Sequence, residues 1–150
     1  MTPRAGAPAT GQVRDRQRSR ALATAVRARN RYCYVNARRA LTRVPSLIYV
    51  EGYVVATDDW TPRRHAWVET RERVILGPTP AWLRRGAAYF AVRRWVDERP
   101  PTCEARFCKD RVVHLHGIVD DLLFCSDSPG ARQAYDAALE YGRRRGIRRP

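Results

Sequence analysis

The chain has 150 residues, 44% hydrophobic and 29% charged, which is the size and balance of one ordinary globular domain with some chain to spare. Its longest apolar runs, Leu47–Val50 and Val112–Val119, fall far short of the ~20 residues of a membrane helix, and no apolar stretch of roughly 7 to 15 residues follows the first positions, so no secretory signal is expected. The formal charge of +14 sits mostly at the ends, +7 in residues 1–32 and +5 in 142–150 against +2 for 33–141, which argues against a uniformly basic body built for nucleic acid and leaves two tails that attract polyanions non-specifically.

Residues 1–30 open with Pro3, Gly6, Pro8 and Gly11 and continue Arg-rich with only small apolar residues. Such a segment buries too little to offset its ordering entropy, so it reads as a basic, disordered arm. Within it, Ala21, Leu22, Ala25 and Val26 make a thin stripe compatible with a short helix from about Arg14 to Arg29. The folded domain is expected over 31–141, opening with a helix in which Cys33, Ala37, Ala40, Leu41 and Val44 share a buried face. Pro45 ends it.

Leu47–Ala56 is rich in β-branched and aromatic residues and reads as a strand, with Gly52 marking a bulge or close backbone approach. Asp58, Asp59 and Pro62 mark a loop over 57–63. His65–Glu69 is a second strand, with His65, Trp67 and Glu69 on one face and Ala66 and Val68 on the other. A turn at Thr70–Glu72 leads to a third strand, Arg73–Leu76, which ends at Gly77-Pro78; three strands with short loops imply an antiparallel meander. Ala81–Asp97 carries Trp82, Tyr89, Phe90, Val92 and Trp95, enough to cover one side of a sheet, with Arg pairs at 84–85 and 93–94 facing water. Pro100-Pro101 breaks the chain, Arg111–Phe124 is apolar again, and Ala131–Arg144 is a closing helix before a basic tail over 142–150. The fold class is therefore α+β, a cysteine-bearing helix packed on an antiparallel meander.

Four cysteines at 33, 103, 108 and 125 are too few and too unevenly placed for a disulfide framework. Cys33 stands apart because a thiol in the first turn of a helix meets the positive end of the helix dipole and unpaired N–H groups, both of which favour thiolate. A histidine from a neighbouring strand, His65, could take its proton and return it to a leaving group; the alternative is a small core hydrophobe. Cys103, Cys108, His114 and His116 offer zinc-type donors at spacings that match no common zinc motif, so no metal and no cofactor are expected. Trp60, Trp67, Trp82 and Trp95 read as core or rim residues rather than a stacking platform for bases.

The order Cys33-Tyr-Val-Asn36-Ala37, Tyr49-Val-Glu51-Gly52-Tyr53, His65-Ala66-Trp67-Val68, Val74-Ile75, Pro78-Thr79 and Ala88-Tyr89-Phe90-Ala91-Val92 resembles a family of small bacterial and phage proteins. That family is similar to a compact papain-like and transglutaminase-like (NlpC-like) cysteine hydrolase fold. The resemblance covers about residues 31–92 and implies a thiol-dependent hydrolase or acyltransferase acting on amide or peptide bonds, Cys33 as nucleophile and His65 as general base, in the cytoplasm of a bacterium or phage-infected host. Glu51 and Asn36 match motif positions that are candidates for a supporting role or for a structural hydrogen bond. Where the family pattern places an Asp before Pro-Thr, this chain has Gly77. Losing the orienting acid of a triad lowers the rate by about 10⁴, and Asp58, Asp59 and Asp120 are its candidate replacements. The competing expectation is a non-catalytic member of the same fold, binding nucleic acid or an acidic partner through its Arg-rich tails.

Overall fold

The computed structural model describes residues 13–56, 60–80, 86–98, 100 and 129–146. In chain order these form α1 (Arg16–Ala25), α2 (Cys33–Arg43), β1 (Ile48–Ala56), β2 (Pro62–Glu69), β3 (Ile75–Leu76), β4 (Ala87–Trp95) and α3 (Pro129–Gly146). The strands make one antiparallel sheet in the order β3-β2-β1-β4. The chain is thus α+β, with the expected meander on one side of β1 and an added strand on the other.

Alternation along the strands gives the sheet two faces. Tyr49 opposite Val68 and Glu51 opposite Ala66 define one of them; Val50 opposite Trp67 and Gly52 opposite His65 define the other. On the first face Ala37 and Ala40 of α2 and Leu22 and Val26 from α1 and its C-cap form a core with Tyr49, Ala66, Val68 and Leu76. Further along it, Ala131, Ala134 and Ala138 of α3 pack on Tyr53, Val55, Ala88 and Phe90. The second face carries Ile48, Val50, Val54, Trp67, Ile75 and Tyr89.

Three expectations are corrected here. Residues 13–30 are not a free arm, because α1 is fixed to the short edge strand. Asp15 N–H donates to the Ile75 carbonyl (2.9 Å), Ser19 Oγ accepts from Gly77 N–H (3.0 Å), and Asp15 caps the helix by accepting from Arg18 N–H. Polar anchoring of an exposed sheet edge supplements a thin apolar stripe, and hydropathy alone does not register it. Second, Ala87–Trp95 is a strand of the sheet rather than a cover for it, and Arg94 turns inward to the buried Glu69, Nε to Oε2 at 2.8 Å. Third, Val44 lies at the C-cap of α2 and is exposed. The beginning of the basic tail, up to Gly146, continues α3.

Gly52 is the tightest point of the sheet. The β1–β4 register shifts between Glu51 and Gly52, and a Cβ at Gly52 would strike the Phe90 carbonyl and lie 2.7 Å from Cη2 of Trp67. Gly52→Ala should therefore lower the unfolding free energy by about 1–3 kcal/mol, the usual range for overpacking. Gly130→Ala, in α3 where a Cβ meets nothing within 4 Å, should be neutral or stabilising. Urea titration of both variants checks the pair.

Candidate functional site

Cys33 is the first residue of α2, as the helical spacing predicts, and is half-buried against the core formed by Tyr49, Ala66 and Val68. Three residues on, Asn36 is fully buried. Its carboxamide oxygen accepts from Arg29 N–H (3.0 Å), and its Nδ2 donates to the Arg29 carbonyl (2.7 Å) and to Thr79 Oγ1 (3.2 Å). Asn36 is therefore the clamp joining the α1–α2 loop, α2 and the chain after β3. Glu51, also fully buried, accepts a hydrogen bond from the Tyr49 hydroxyl at 2.7 Å. Burial and then the Glu51 charge push the Tyr49 pKa well above 10, so this donor stays protonated. Both supporting candidates have structural hydrogen bonds.

His65 is buried within the second strand. It pairs with Gly52 in β2, so its ring projects from the face opposite Ala66 and Val68, the two β2 residues that pack with α2. There it stacks beside Trp67, with centroids 6.2 Å apart, and beside Tyr89 at 6.0 Å. Trp67 and Tyr89 meet edge to face at 5.0 Å. The imidazole thus lies on the sheet face opposite the two β2 residues that pack with α2, while the Cys33 charge acts on Tyr89, the ring beside it, as well as on Tyr49. Glu69, at the far end of the same face, is held by Arg94, by Arg73 at 3.7 Å and by Trp67 Nε1 at 3.3 Å.

The space beside Gly77 is filled by other groups. A Cβ at Gly77 would lie 2.6 Å from the Tyr89 hydroxyl and 3.6 Å from Cδ of Arg14, and Arg14 Nη1 donates to that hydroxyl at 3.0 Å. A buried guanidinium and a phenol therefore occupy the space an Asp side chain at 77 would need. The electrostatic consequence is a reversal of sign. Burial, and after it the Arg14 charge, lowers the His65 pKa from 6.5 to about 3, whereas an acid would raise it. Burial also raises the Tyr89 pKa, more than Arg14 lowers it. Of the two groups that define this cluster, Tyr89 lies in a motif visible in the sequence. Arg14 had no local signal, because its contact spans 75 residues.

Asp58, Asp59, Asp120, Trp82, Cys103, Cys108, Cys125, His114 and His116 lie outside the described residues. Among the described residues no three His, Cys, Asp or Glu side chains gather as a metal site, and no helix is long and apolar enough to cross a membrane. A groove of about 530 Å³ lies along the C-terminal half of α2, over Leu41, Leu47 and Trp95, with the exposed Arg71–Asp97 ion pair at its rim. Neither Cys33 nor His65 lines it. Comparison of the chain with protein-family models, curated proteins and solved structures found no match.

The depressed His65 pKa makes a testable statement about stability. Between pH 6.5 and about 3 the unfolded chain binds a proton here that the folded chain does not. Folded-state stability from this residue is complete above pH 6.5 and is lost as the pH falls, with a slope of about 1.4 kcal/mol per pH unit. His65→Gln should flatten the acid limb of a stability–pH curve relative to wild type, and Arg14→Gln should raise the His65 pKa read by NMR. An unchanged limb in the first variant would contradict the assignment of a buried neutral imidazole.

Proposed function

We propose that this chain is a non-catalytic member of the papain-like and transglutaminase-like fold, acting as a binding protein that contacts an anionic partner through arginines near its ends. The observation that carries this reading is the Arg14–Tyr89 pair beside His65, where hydrolase chemistry needs an anion. A general base must stabilise a proton it has just accepted, and an imidazole held near pKa 3 resists this by several kcal/mol at about 1.4 kcal/mol per unit. The resemblance to hydrolases then concerns the scaffold, since function resides in the site rather than the fold.

Alkylation of Cys33 by iodoacetamide separates the two readings. A thiol at a helix start has some thiolate character of its own, so the diagnostic is coupling to His65. The expected pH–rate profile follows a single thiol ionisation, and His65→Gln leaves the rate at pH 6 unchanged. A slower rate in His65→Gln, or a second inflection belonging to an imidazole, would restore Cys33 and His65 as a nucleophile–base pair acting on amide bonds.

A further inference from the structure

The two basic ends differ in how their arginines are used. In α3, Arg143 and Arg144 pair with Glu140 at 3.5 and 2.8 Å, and the Arg145 guanidinium lies 5.2 Å from the Tyr141 ring centroid. That cluster is partly neutralised within its own helix. From residue 13 to residue 50 the only acid is Asp15, and Asp15 is engaged in capping α1. Arg16, Arg18, Arg20, Arg27, Arg29 and Arg31 are all exposed.

The backbone that presents the last three is fixed before any ligand arrives. Ala28 N–H bonds to the Ala23 carbonyl at 2.9 Å. Arg29 is held at both its N–H and its carbonyl by the buried Asn36 side chain, and Arg39 Nη1 reaches the Arg27 carbonyl at 3.5 Å. Arg27 and Arg31 occupy left-handed backbone, φ 51° and 66°, where glycine is the favoured residue. Arginine is thus present at two positions whose backbone disfavours it. On α1, Arg16 and Arg20 lie one turn apart and line a shallow depression with Gln17 and Thr24.

We infer that α1 and the α1–α2 loop form a preorganised surface for the phosphodiester backbone of nucleic acid, with Arg16, Arg20, Arg27, Arg29 and Arg31 as the contacting cations. This rests on the binding-protein reading above and names the surface and the partner. A planar guanidinium fork matches two phosphate oxygens, and a loop already ordered loses little entropy on binding. A lipid surface is disfavoured because the apolar residues Leu22, Ala23 and Val26 are already buried, which leaves no face to insert. A protein partner is disfavoured because the exposed residues from Arg16 to Arg31 include no aromatic or long aliphatic side chain to form an interface centre. The contact is to the backbone and therefore indifferent to base sequence.

The test uses the full chain and fluorescence anisotropy with a labelled mixed-sequence oligonucleotide of about 20 nucleotides, single- and double-stranded, from roughly 50 to 200 mM salt. Wild type should bind with log K falling linearly against log salt. The triple variant Arg27→Gly, Arg29→Gln, Arg31→Gly should lose at least about tenfold in affinity at mid-range salt, and about 2 units of salt slope on the single strand and about 3 on the duplex. Its two glycines suit left-handed backbone, so folding is preserved or improved, and thermal melting verifies this. Arg143→Gln, Arg144→Gln, Arg145→Gln should lower affinity and salt slope less than the loop variant does, because Glu140 offsets part of their charge. Wild type that binds while the α3 variant loses affinity and the loop variant does not would overturn this surface and leave the binding-protein reading intact. Wild type that binds polyglutamate or phosphatidylserine vesicles as tightly as the oligonucleotide would overturn the nucleic-acid assignment alone. Binding to none of these probes would overturn both.

Discussion

Adjacent residues of a strand point to opposite sides of the sheet, and in β2 this separates His65 from Ala66. Ala66 and Val68 are the surface on which α2 packs, so the imidazole must lie on the other side, among Trp67 and Tyr89. No rotamer change reverses this assignment, since a one-residue slip would also carry Tyr49, Glu51 and the whole core of α2 to the wrong face. The eight-residue pairing of β1 with β2 fixes the register.

Once His65 is committed to that face, its surroundings decide its charge. In a triad the neighbour is an acid, and the pair gains from forming imidazolium. Beside Tyr89 the chain has Gly77, whose missing side chain leaves room for the Tyr89 hydroxyl and the Arg14 guanidinium. Gly52 complements it on β1, because only a bare Cα lets the Trp67 ring and the β4 backbone approach so closely. Two glycines thus make room for a packed aromatic cluster closed by a cation. The imidazole is retained as a neutral, buried ring within it.

The same N-terminal segment serves both cluster and surface. Asp15 and Ser19 fasten α1 to the β3 edge and Arg14 reaches inward to Tyr89 of β4, while the arginines between and after them are exposed. Asn36 extends this division of labour, tying the loop to α2 and to Thr79. A chain with little apolar surface is ordered here by specific hydrogen bonds. Its outward charges become fixed in position as a result, which distinguishes them from the charges of a flexible tail.

Local patterns in the sequence determined much of the architecture. The helical spacing from Cys33 to Leu41, the β-branched run around Gly52, the alternation from His65 to Glu69 and the small-residue face of α3 each depend on neighbours within a few positions, so periodicity reveals them. The segregation of charge to the ends was likewise countable. Only the tertiary structure decided which sheet face α2 would cover, that Ala87–Trp95 would join the sheet beside β1, and that Arg14 would close the His65 cluster. Each of these is a contact between residues far apart in the chain, and no local propensity encodes which of two faces a helix will choose. Cys33 and His65 are legible as reactive residue types; whether they act together is a matter of spatial relation, and that belongs to the folded sheet.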